Sequence, residues 1–64
     1  MSQIHLDVVK KVRFDKTVWT VFAGRDMTVA NCSFEDDDTL SPAEFASKIC
    51  RSAQDAVNKV LEKE

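Results

Sequence analysis

Ser41 to Leu61 reads SPAEFASKICRSAQDAVNKVL, and no other stretch of the chain constrains its own conformation so tightly. Ser41 is a good N-cap residue. Pro42 follows at the first helical position, where a missing N–H costs nothing. Glu44 stands three residues after Ser41, the spacing of a capping box. Leu40 and Phe45 have the spacing of a hydrophobic staple. A helix over residues 42–62 follows from these signals.

At about 100° per residue its two faces separate. Phe45, Ala46, Ile49, Cys50, Ala53, Ala56, Val57, Val60 and Leu61 share one side. Glu44, Ser47, Lys48, Arg51, Gln54, Asp55, Asn58, Lys59 and Glu62 share the other. The apolar arc spans roughly 160°, wider than the ~100° that a single covering sheet needs. Its edge, at Cys50 and Leu61, is therefore a candidate contact with a second chain.

The 64 residues are enough for one domain. A chain this short buries only about 60% of its unfolded surface, so it ordinarily needs a staple. Two cysteines, Cys32 and Cys50, are too few for a disulfide framework. With no CxxC and no Cys/His cluster, no structural zinc and no cofactor are expected. Oligomerisation is the staple that remains, and a homodimer is the simplest form. No apolar run reaches the length of a signal peptide or a membrane span. That points to a cytoplasmic protein with no membrane partner, in which both cysteines stay reduced. A net charge of −2, from 11 acids and 9 bases, gives no bulk attraction to nucleic acid or anionic lipid.

The chain before the helix reads as sheet. Residues 3–14 alternate, with Ile4, Leu6, Val8, Val12 and Phe14 on one face and Lys10 the only break. Residues 17–23 are rich in β-branched and aromatic side chains, and 27–34 form a third such run. Tight turns are expected at Asp15-Lys16 and at Arg25-Asp26. These turns set Phe14 opposite Thr17, Val12 opposite Trp19 and Val8 opposite Ala23. They also set Trp19 opposite Cys32 and Val21 opposite Ala30. One face then gathers Leu6, Val8, Val12, Phe14, Trp19, Val21, Ala23, Ala30, Cys32 and Phe34. The fold class is α+β: a three-stranded antiparallel meander covered on one face by the C-terminal helix, β-β-β-α in two layers.

The other face carries Lys11, Arg13, Thr20, Asn31 and Ser33, as a solvated face should. The same register lines up Val9, Phe22 and Val29 as an apolar row across it. Such a row on an open sheet face marks a contact site, weighed against ordinary scattered surface apolars.

Other candidate sites are weaker. Glu35, Asp36, Asp37 and Asp38 lack the alternation, central Gly and distal Glu of a calcium loop. They read as a solvated loop that complements the helix N-terminus, or as a second docking element for a basic partner. His5 is the single histidine, and no serine or cysteine is spaced to join it and Asp7 in catalysis. So small a chain also has little room for a pocket of about 300–1,000 Å³. A non-enzyme is expected. Lys11, Arg13, Phe22 and Arg25 suggest an alternative, stacking of single-stranded nucleic acid on the sheet.

The order β-β-β-α, with Asp38-Thr39-Leu40 before an Ala-containing helix, resembles small antitoxin domains of the HicB type. The matching stretch is three residues of common types, and a shared fold would not license a function. The leading expectation is a small regulatory, inhibitor-like or adaptor-like module that binds another protein and works as a homodimer. A structural component of a larger assembly is the third class.

Overall fold

The computed structural model describes residues 3–63; Met1, Ser2 and Glu64 of the expected single domain lie outside the described residues. Three strands and one helix follow in order: β1 (His5–Arg13), β2 (Lys16–Arg25), β3 (Thr28–Asp36) and α1 (Pro42–Lys63). The strands form an antiparallel sheet in the order β1-β2-β3, and α1 lies over β2 and β3. The expected α+β meander with a covering helix is the observed fold. The strand limits differ from the expected 3–14, 17–23 and 27–34, mainly because both turns fall one residue later or earlier than anticipated.

The first turn is Phe14-Asp15, not Asp15-Lys16, and Arg13 pairs with Lys16. The second is Asp26-Met27, not Arg25-Asp26, and Arg25 pairs with Thr28. Two-residue hairpins favour turns with positive φ, because their twist matches that of the strands. Phe14 (φ 54°) and Asp26 (φ 56°) supply it. Asp tolerates that region well, whereas Phe is an unusual occupant.

The register therefore slips from the expected one. Val12 lies opposite Thr17 rather than Trp19, and Val8 opposite Val21 rather than Ala23. Trp19 lies opposite Phe34 rather than Cys32, and Val21 opposite Cys32 rather than Ala30. In each hairpin a residue's partner moves by two positions. Because side chains alternate with period two, a two-residue slip leaves every side chain on its expected face.

The core lies between α1 and the middle of the sheet. Val21, Ala23, Ala30, Ala56 and Val60 are buried, with Ile4, Cys32 and Val57 packed against that cluster. Three alanines at this seam let the helix approach the sheet closely. At the N-terminal end of α1, Phe45 meets Trp19 and Phe34 edge-to-face, at centroid distances of 5.0 and 5.9 Å. That is a favourable arrangement of the ring quadrupoles.

The helix start follows its sequence signals. Ser41 Oγ accepts from the Glu44 N–H, and Glu44 Oε1 accepts from the Ser41 N–H, closing a capping box. The Phe45 N–H donates to the Ser41 carbonyl at 2.9 Å. Ser52, which neither face of the helix claimed, is buried beside Ala56. Ala46, Cys50 and Leu61, assigned to the apolar side, are exposed. The buried line runs through 52, 56 and 60, so the outer part of the wide apolar arc is left over.

Four other expected core residues are not in the core. Phe14 is fully exposed at its turn, and Leu6, Val8 and Val12 of β1 are 53%, 45% and 64% exposed. They point to the expected face, but α1 sits over β2 and β3 and leaves β1 uncovered. One helix, about 10 Å wide, cannot roof three strands spaced ~4.8 Å apart. No described helix is long and apolar enough to cross a membrane.

Candidate functional site

The sheet face away from α1 is where the sequence placed its apolar row. The register dissolves that row. Phe22 lies between Asp7 and Asn31, Val9 opposite Thr20, and Val29 opposite Gly24. Val9, Phe22 and Val29 remain on one face, but on a diagonal, with Asp7, Thr20, Asn31 and Gly24 beside them in the rows. Thr20 and Ser33 share a hydroxyl hydrogen bond of 2.9 Å in the middle of that face. Phe22 itself is half-buried.

The basic set also divides. Lys11 and Arg13 share the outer face with Phe22. Arg25 alternates with Ala23 and Val21 and so belongs to the helix-facing set.

The acidic run does not present its carboxylates on one face. Glu35 and Asp36 end β3 and so point to opposite faces. The Asp38 N–H donates to Asp36 Oδ1 at 3.0 Å. Asp37 Oδ1 accepts from both the N–H and the hydroxyl of Thr39. Those bonds, the hydroxyl first, hold the Asp37 carboxyl below its ordinary pKa. Asp36 and Asp37 thus serve the turn into α1, and Asp38 takes a positive φ (67°) there. No group of three metal-ligating side chains occurs among the described residues. His5 and Asp7 alternate onto one face, and the Asp7 carboxylate accepts from the Val8 N–H at 3.0 Å.

A depression of about 460 Å³ lies beside the first turn, lined by Arg13, Phe14, Asp15, Lys16, Val18 and Glu35. Its volume falls within the usual pocket range, in a chain expected to have little room for one. It is an open hollow at the end of the sheet, with a fully exposed Phe14 on its rim.

β1 and the neighbouring flank of α1 form an uncovered apolar surface. All nine residues of β1 are exposed. On the helix side Leu6, Val8 and Val12 are bare, and the Lys10 ammonium stands 5.6 Å from the centre of the Trp19 ring. Asp55, Lys59 and Lys63 mark the flank of α1 that faces β3, since each has a partner there. At 100° per residue the opposite flank, toward β1, carries Ala46, Cys50, Ala53, Val57 and Leu61. An apolar strand and an apolar helix flank therefore border one shallow trough. The Trp19 indole N–H, buried nearby, has no acceptor.

The two edges of the sheet are treated differently. Residues flanking a two-residue hairpin turn form a hydrogen-bonded pair, and such pairs recur at every second residue. Val29, Asn31 and Ser33 therefore turn their backbone groups to the free edge of β3. There Lys63 Nζ donates to the Val29 carbonyl and Lys59 Nζ to the Asn31 carbonyl, each at 3.1 Å. On β1 the same logic turns the backbone groups of Leu6, Val8, Lys10 and Val12 outward. Among the described residues the one recorded partner on that edge is the local Asp7 carboxylate on Val8.

Sequence reasoning found the right faces but missed this strand. The signal was present in Lys10, the single charge in the inward alternation of β1. A covered strand would not carry it there. A scan against protein-family models, a search of curated proteins and a search of solved structures each return no match to this chain.

Proposed function

We propose that the chain is a small non-enzymatic binding module that works as a homodimer and acts on a partner protein, with β1 and the adjacent flank of α1 as its contact surface. The observation that carries this reading is β1 itself. It is an edge strand of nine residues, exposed throughout, with bare apolar side chains and backbone groups turned to the edge. Strands of that kind pair with other chains unless something blocks them. A cytoplasmic setting fits two free cysteines, one of them exposed.

The outer face and the acidic run, first choices by sequence, have less to recommend them. The outer apolar residues lie on a diagonal with polar neighbours in each row and Phe22 half-buried, and Asp36 and Asp37 are engaged in the turn before α1.

Photo-cross-linking in cells tests the reading. A photoreactive residue at Leu6 or Val12 is expected to give discrete protein adducts, while one at Ser47 or Asn58 on the solvent side of α1 gives none. Equal yields from both sets, or no adducts from β1, would overturn it.

A further inference from the structure

We infer that two copies of this chain join β1 to β1 antiparallel about a twofold axis through Val9, making one six-stranded sheet. This rests on the reading of β1 as the contact strand, and it names that strand's first partner and its register.

The size of the uncovered surface comes first. The chain exposes 4,986 Å². A folded monomer of this mass is expected to expose about 4,100 Å², so the excess is roughly 900 Å². The radius of gyration, 12.7 Å, tells the same story. A closed domain of this length would have about 10.7 Å. The molecule is a thin slab, 39 × 24 × 15 Å, with the proportions of half an assembly.

The sheet edge comes second. Lys59 and Lys63 occupy carbonyls on the β3 edge, as lysines do where pairing is to be prevented. On β1 no side chain is bonded to an edge carbonyl among the described residues, and the inward charge, Lys10, lies over the Trp19 ring rather than across the edge. One open edge per chain closes into a dimer and stops there.

The register comes from charge. The free edge groups of β1 belong to Leu6, Val8, Lys10 and Val12. They can meet only their own kind on a second copy if the axis passes through a residue rather than between two. An axis at Asp7, Lys10 or Lys11 would set like charges face to face. An axis at Val8 would set Asp7 against the partner's Val9. The axis at Val9 pairs the whole of His5–Arg13 and sets Asp7 against the partner's Lys11, twice by symmetry. It also sets Leu6 against the partner's Val12 on the helix side. Both helices then lie on one face of the sheet, one on each side of a floor made by the two β1 strands. The Val8 N–H passes from Asp7 to the partner's Lys10 carbonyl, which frees the Asp7 carboxylate for the partner's Lys11.

The test is sedimentation equilibrium of the full chain and three variants: Asp7→Lys, Lys11→Asp and the double exchange. Both positions are exposed, so folding, checked by circular dichroism, should survive. Wild type is expected to be a dimer. Each single variant should weaken it about tenfold, as two opposite-charge cross-strand pairs become like-charge pairs. The double exchange should return the affinity to within about threefold of wild type. Val9→Cys in a Cys50→Ser background should oxidise readily to a covalent dimer, since the two Cα atoms at the axis would be about 4.5 Å apart. A monomer at every concentration would overturn the dimer. A dimer indifferent to the single variants, or one the double exchange fails to restore, would overturn the register. Cross-links from Leu6 and Val12 to a different protein, alongside a monomeric chain, would sink this inference and the homodimer part of the reading above, and leave its partner-binding part standing.

Discussion

Two residues carry local costs that the fold tolerates. Phe14 holds a left-handed conformation with its ring fully in solvent, so it has strain and no packing to offset it. That region costs a non-glycine residue roughly 1–2 kcal/mol. Phe14→Asn should therefore stabilise the chain by about 0.5–1 kcal/mol in urea unfolding; a loss of stability would show that the ring has a hidden contact. Trp19 carries a buried N–H with no acceptor. Leaving such a group unmet costs about 1–3 kcal/mol, which offsets part of the large burial of the ring. Trp19→Phe should thus change stability by less than about 1 kcal/mol, while Trp19→Ala should cost about 3 kcal/mol or more by the usual rule for large cores. Thermal denaturation of both variants distinguishes the ring from its polar tip.

At the scale of elements, α1 does two jobs. Its buried line of Ser52, Ala56 and Val60 closes the core, and Lys59 and Lys63 reach the backbone of β3. These are exposed single bonds and add little to stability. Their consequence lies in association, because they occupy edge acceptors that another strand would use. Lys59→Ala together with Lys63→Ala should leave the melting temperature within a few degrees of wild type. The same variant should shift light scattering toward species larger than a dimer at high concentration, since both edges of the sheet would then be open. An unchanged size distribution would mean that something else guards β3.

At the scale of the molecule, stability is concentrated where α1 meets β2 and β3. Val60→Ala, at a site with no solvent exposure, should cost roughly 2 kcal/mol through lost burial and the cavity left behind. Val12→Thr, on the uncovered strand and 64% exposed, should cost less than about 0.5 kcal/mol in the dissociated chain. Chemical denaturation at low protein concentration checks both. A large loss from Val12→Thr there would mean that β1 is covered even in the monomer.

Most of the fold can be read from local pattern. The capping box at Ser41 and Glu44, the period-two runs and the apolar stripe of α1 are short-range facts, and short-range physics decides them. Even misplaced turns left every strand residue on its expected face, because the error was two residues and the pleat repeats every two. The candidate site was much less visible. The row of Val9, Phe22 and Val29 needed the true register, which hangs on which residue accepts a positive φ at each turn. The bare face of β1 needed the lateral position of the helix. That position is set by where Ala23, Ala30 and Ala56 allow the closest approach, a matter of three-dimensional packing rather than of periodicity. The sequence alone determines the elements, their order and the two sides of the sheet. Only the tertiary structure decides which strand the single helix fails to cover and which sheet edge its lysines close, because a helix two strands wide must choose where on three strands to lie.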